Sequence, residues 1–173
     1  HGDDDGMVMP PRIAPYQIEI IPFFKDESKT SLIKEFCIKL KSDLTKSGLR
    51  VHTDLSDERA SNKMWTAIKK GVPIRIEIGA MEIEKSEVTM TRRDLGKGSK
   101  RTVSVSDLVN TLRIELDSMH NALLEKSKKF NDMHTYEMSD LNEIESFFKD
   151  DRIGFVLMDS NLLDNEKFLQ IRK

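Results

Sequence analysis

Five consecutive residues constrain the fold more than any others: Ile74, Arg75, Ile76, Glu77 and Ile78, bracketed by Gly71 and Gly79. Alternation with period two predicts a β-strand, because successive side chains of a strand point to opposite faces. Three isoleucines then share one face while Arg75 and Glu77 share the other. Such a strand gives its sheet a fixed, charged face, with glycines where the backbone must turn. A basic pair, Arg92-Arg93, closes the next predicted strand. A solvated face carrying an Arg–Glu pair and a binding surface both satisfy this pattern.

The flanking sequence supplies the rest of a sheet. Residues 17–24 read as a buried strand, and Asp26 or Ser28 caps a helix running to about Ser47. That helix places Leu32, Phe36, Leu40 and Leu44 at four-residue steps, with Ile33 and Cys37 beside them. A short strand over 49–52 leads to a second helix, capped by Ser61 or Asn62, with Met64 and Ile68 on one face. Strands follow over 72–78, 87–93 and 100–104, and a helical turn over 81–85 separates the first two. A long helix capped by Ser106 or Asp107 carries Leu108, Leu112, Leu116, Met119 and Leu123. The order predicts an α/β fold, a mixed sheet of about five strands flanked by three helices.

From Phe130 the pattern restarts, with a helix over 139–148, an apolar strand over 153–158 and a helix over 163–171. This predicts a small α/β C-terminal unit, a size marginal for stability without a metal or a partner. The expected organisation is a Pro-rich extended linker over 1–15, a main domain over 16–128 and the small unit over 129–173.

Bulk properties exclude several classes. A net charge of −2 over 173 residues means that any RNA contact comes from a local basic patch. One cysteine, Cys37, excludes an internal disulfide and a multi-cysteine zinc site, and its helical pattern reads as core. No run approaches the roughly 20 apolar residues of a membrane span, and the acidic start lacks the basic region of a signal peptide. The expected location is cytoplasmic. His1, His52, His120 and His134 show no metal-cluster spacing, and Asp3-Asp4-Asp5 reads as a solvated turn. The Gly96–Lys100 loop lacks phosphate-loop spacing and leads into a strand, so it reads as a hairpin loop. Trp65, the only tryptophan, is expected to face the core beside Met64, with base stacking as its alternative.

Several runs together carry a resemblance. They are the opening HGDD-x-G…PPR-x-AP (His1 to Pro15), GVP-x-R-x-E-x-G (Gly71 to Gly79), Arg92-Arg93-Asp94 and His134-Thr135-Tyr136. The chain resembles the C-terminal part of prolyl-tRNA synthetase of the archaeal/eukaryotic-like type, a class II enzyme. The resemblance implies an anticodon-binding domain plus a C-terminal module behind a catalytic core that uses ATP and magnesium. None of that core's chemistry lies in this chain, so no catalytic residue and no cofactor are expected here. The implied partners are proline-specific tRNA, an upstream catalytic domain and a homodimer formed through the parent enzyme, with no membrane. The residues expected to contact tRNA are Lys63, Arg75, Glu77, Arg92 and Arg93: the cations on phosphates or guanine acceptors, Glu77 orienting Arg75 or accepting from a base amino group.

The chain departs from the family pattern at the anticodon side. Ala60-Ser61-Asn62 stands in place of a Pro-Gly-aromatic run, Ala67-Ile68 in place of a Trp-Glu pair, and Gly79-Ala80-Met81 in place of a Gly-Pro-basic turn. Each change removes a group suited to gripping splayed bases. The C-terminal module lacks the family's cysteines over 159–166, so a zinc-free unit with no metal is expected. Two other readings stay open: an interaction or dimerisation module of a divergent synthetase-like protein, and the anticodon-binding domain of another class II synthetase.

Overall fold

The computed structural model describes residues 2–150 and 152–171. The chain forms two units, His1–Ala122 and Leu123–Lys173. The first opens with a small hairpin, β1 (Gly2–Asp3) and β2 (Gly6–Met7). Its main sheet comprises β3 (Ile18–Pro22), β4 (Val51–Thr53), β5 (Ile74–Ile78), β6 (Glu87–Arg92) and β7 (Arg101–Ser104) in the order β4-β3-β5-β6-β7. β3 runs parallel to β4 and β5, and β6 and β7 are antiparallel additions, so the sheet is mixed as expected. Helices α1 (Thr30–Lys46), α2 (Ala60–Lys69), α3 (Ala80–Lys85) and α4 (Leu108–Met133) complete the order.

The alternation of β5 reads directly into the packing. Ile74, Ile76 and Ile78 are fully buried with Ile18, Ile20, Val88 and Met90, and α1 and α4 cover that face with Ile33, Cys37, Leu40, Leu108 and Leu112. Ile74 registers with Ile18, and Arg75 with Glu19 on one side and Thr91 on the other. The opposite face therefore carries Glu19, Arg75, Glu77, Thr89 and Thr91. α2 packs on this second face through Lys63 and Ala67, its buried residues.

Two helical stripes differ from the sequence expectation. In α1 the buried set is Ile33, Cys37, Leu40 and Leu44, whereas Leu32 is exposed. Steps of four advance about 40° each around a helix, so Leu32-Phe36-Leu40-Leu44 cannot hold one face. In α2 the buried pair is Lys63 and Ala67 rather than Met64 and Ile68, and Trp65 stands 51 % exposed instead of facing the core.

Residues 2–15, expected as an extended connector, belong to the first unit and pack within it. Val8, Pro11 and Ala14 are buried. Arg50 donates from Nε to the Ala14 carbonyl at 2.9 Å and from Nη2 to those of Pro11 and Arg12 at 2.9 and 3.2 Å. Gly71 sits at φ +69°, where a Cβ would lie 2.6 Å from the Met7 carbonyl oxygen, so only glycine admits this approach.

The second unit contains the end of α4, β8 (Thr135–Glu137), α5 (Leu141–Lys149), β9 (Phe155–Leu157) and α6 (Glu166–Ile171). β8 and β9 pair in parallel, and Met138, Ile144 and Phe147 form a small core with Tyr136, Leu141, Val156 and Met158. β8 has no counterpart in the sequence reading. Among the described residues no helix is long and apolar enough to cross a membrane.

Cys37 is completely buried, and desolvation pushes its thiol up to about 12. The folded chain is therefore expected to resist an aromatic disulfide reagent at pH 8, with one thiol titrating after denaturation. Rapid labelling of the native chain would show that α1 does not seal this position.

Candidate functional site

The crossovers decide where a site can form. β3 leads through α1 to β4 on one side of it, and β4 leads through α2 to β5 on the other. α1 and α2 lie on opposite faces, so the chain diverges around β3 and β5. Ligands of open α/β sheets enter beyond the carboxyl ends of strands at such a point. A crevice of about 440 Å³ opens there, lined by Phe23, Ile78, Gly79 and Met81 together with Lys25, Lys29, Glu77 and Lys100. Lys29 bonds Glu84 and Lys100 bonds Glu77, both at 2.8 Å. Lys25 is exposed.

Arg75 differs from every other cation of the sheet. It is 5 % exposed, and its Nε and Nη1 have no hydrogen-bond partner. Burial, followed by the like charge of Arg93, pushes its guanidinium below the ordinary value, and Glu77 opposes the shift. Its register neighbour Glu19 is committed elsewhere: His52 Nδ1 lies 2.8 and 3.0 Å from the two carboxylate oxygens. Desolvation still lifts Glu19 above the usual carboxylate range. Arg75 thus holds two buried donors, on different edges of its guanidinium, without an acceptor among the described residues.

The other expected tRNA contacts are engaged within the domain. Arg92 lies on the isoleucine face and not beside Arg75. Its Nε and Nη2 donate to the Asp94 carboxylate at 3.0 and 2.8 Å, and its Nη1 donates to Glu115 at 2.8 Å and Ser118 at 3.1 Å on α4. Arg93 donates to the Ile68 carbonyl at 3.1 Å and to both oxygens of Asp3 at 2.7 and 2.5 Å. Lys63 buries its ammonium under α2, where it donates to the carbonyls of Asp54 and Ser56 at 2.8 and 2.6 Å. These three hold elements together, because acceptors sit within reach of each. Glu77 pairs with Lys100 and influences Arg75 through its charge.

Sequence reasoning missed the acceptors Asp3, Glu115 and Ser118, which lie far from their arginines in the chain. Asp94, adjacent to Arg92-Arg93, was the one legible signal. Of the positions that depart from the family pattern, Ala67 is buried, Ile68 is half-buried and Met81 is exposed at the crevice mouth. His134 Nδ1 lies 2.7 Å from the Phe130 carbonyl, and His1 lies outside the described residues. Among the described residues no group of three or more His, Cys, Asp or Glu side chains is placed to hold a metal ion.

The family model for the anticodon binding domain matches residues 17–115, the span from just before β3 into α4. The chain belongs to this anticodon-binding domain family. It also matches the C-terminal part of prolyl-tRNA ligases. It is 39% identical over 153 residues to proline–tRNA ligase 2 of Anaeromyxobacter dehalogenans, covering 86% of this chain and 30% of that protein. It is 37% identical over 152 residues to the proline–tRNA ligase of Pyrococcus abyssi, covering 88% and 31%. With that of Borreliella burgdorferi it shares 37% over 164 residues, 91% of this chain and 33% of the relative. The chain spans about a third of the length of these curated relatives.

Two outcomes follow for this anticodon-binding domain. Arg92→Ala leaves Asp94 and Glu115 facing each other without their shared cation, so a loss of about 3 kcal/mol in unfolding free energy is expected by chemical denaturation. An unchanged midpoint would remove Arg92 from the structural role. Arg93 holds the Asp3 carboxyl down at about 2 from 3.8. A carboxyl lowered on folding contributes stability that is full above its unfolded value and lost as pH falls through its folded value. The hairpin is therefore expected to loosen between about pH 4 and pH 2, and Asp3→Asn should abolish that dependence in hydrogen exchange of residues 2–7.

Proposed function

We propose that this domain binds the anticodon region of proline-accepting tRNA within a proline–tRNA ligase. The domain holds the tRNA while an ATP- and magnesium-dependent catalytic core, in the part of the relatives this chain does not span, attaches proline to the acceptor end. The observation that carries the reading is Arg75: a buried guanidinium with two free donors, on the charged face of a domain whose relatives are named proline–tRNA ligases. A guanine edge offers O6 and N7, either of which can accept a single hydrogen bond from this guanidinium. The crevice, which Glu77 lines on the same strand, supplies Lys25 and the apolar surface of Phe23 and Met81. No cofactor is assigned to the chain itself.

Binding is expected to weaken as salt rises, because phosphate contacts release counterions. Arg75→Ala should cost about 1–3 kcal/mol in affinity for tRNA with a guanine-containing proline anticodon. Its melting temperature should stay level or rise, because the side chain removed is a desolvated cation without an acceptor. Undetectable binding of cognate and non-cognate tRNA alike by the folded chain would end this reading.

A protein-interaction role is the second reading, favoured by the second unit. Ile153, Phe155 and Leu157 are exposed there, and an apolar groove of about 330 Å³ lies between Ile144, Phe148, Val156, Met158, Phe168 and Ile171. Sedimentation of the chain alone separates the two: a concentration-dependent dimer that ignores tRNA favours the second reading.

A further inference from the structure

Trp65 has no evident task in folding. It is the only tryptophan of the chain and half of it faces solvent. The residues of α2 that meet the sheet are Lys63 and Ala67. At about 100° per residue, Trp65 points roughly opposite to their mean direction, so it crests the helix. It takes part in none of the aromatic pairs or cation–π contacts of the described residues. One turn onward, Lys69 is exposed and makes no ion pair among the described residues. One turn back, Asn62 is exposed, and its side-chain amide makes no hydrogen bond among them.

A large aromatic ring is therefore flanked by an unspent ammonium and an unspent amide. Around it stand Ser61, Asn62, Thr66 and Lys69 with the half-buried Met64 and Ile68, a mostly polar surround that gives little apolar area for the core of a protein interface. Single-stranded nucleic acid fits these three groups at once. The indole offers a stacking plane to a base, the ammonium attracts a phosphate, and the amide reaches a base edge. Trp65 stands on the side of α2 turned away from the sheet, so this contact is separate from Arg75. α2 lies on the sheet face that carries Arg75, and its Ile68 carbonyl accepts from Arg93.

We propose that Trp65, with Lys69 beside it, is a stacking platform for an unpaired base of the RNA bound by this domain. The proposal rests on the tRNA reading above and adds a contact outside the crevice. It also supplies an aromatic grip in a chain whose second helix begins Ala60-Ser61-Asn62.

Trp65 is its own reporter, since its emission is the only indole signal. The folded chain is titrated with the anticodon stem-loop of a proline-accepting tRNA, and binding is followed independently by gel shift. Saturation is expected to quench Trp65 emission by at least half. W65A should weaken binding about tenfold and W65F by less, because a phenyl ring keeps part of the stacking surface. Both variants should melt with the parent, since the side chain is exposed. K69A should reduce the slope of log affinity against log salt by about one. A gel shift with unchanged emission, or with W65A binding as the parent does, overturns the platform and leaves the tRNA reading standing. Absence of any shift for the parent overturns both. Emission that changes with protein concentration alone shows a second copy covering the indole, and also overturns the proposal.

Discussion

The desolvation of Arg75 is the constraint around which the sheet is arranged. β5 has a hydrogen-bonded neighbour on each side, so a side chain at its centre is surrounded whichever face it takes. Three fully buried isoleucines on the other face, each worth about 1.5–3 kcal/mol of burial, fix the strand's register and leave Arg75 no freedom to turn away. The nearest carboxylates are engaged with other partners, Glu19 with His52 and Glu77 with Lys100. A guanidinium held dry in this way gains more from an incoming acceptor than one already hydrated, because its desolvation has occurred on folding.

The remaining basic residues show how context divides one residue type into different roles. Arg92 and Arg93 are adjacent in sequence yet point to opposite faces. One ties β6 to α4 and the other ties it to α2 and the opening hairpin. Arg50 gathers three carbonyls of the segment that follows this hairpin. Lys63 threads its aliphatic stem beneath α2 and ends on carbonyls near Phe24.

The sheet, its order of elements and the long helix were legible because their signals repeat. The alternation of β5 spans five residues, and Leu108, Leu112, Leu116, Met119 and Leu123 keep to one face by mixing steps of four and three. α1 and α2 were harder. In α1 two adjacent apolar rows compete and a step-of-four reading drifts off the face. In α2 the buried residue is a lysine, which no hydrophobic pattern selects. Three-residue β8 carries too short a pattern to stand out. The candidate site was legible as far as Arg75 and Glu77 sharing a face. Which cations were already spent depended on Asp3 and Glu115, whose proximity to Arg93 and Arg92 arises from the fold.

The order β4-β3-β5-β6-β7 leaves β4 and β7 at the borders, and both are very short. β4 carries His52 clasped to Glu19, and β7 begins with Arg101, which bonds Glu115. Short, charged borders give another chain little backbone to zip onto, which is how sheets avoid growing into polymers. β8 and β9 lack this protection: as a pair of strands they are all border, and Phe155 and Leu157 of β9 stand in the open. The first unit is thus guarded against strand exchange along its rims, whereas the second is where solubility is most easily lost.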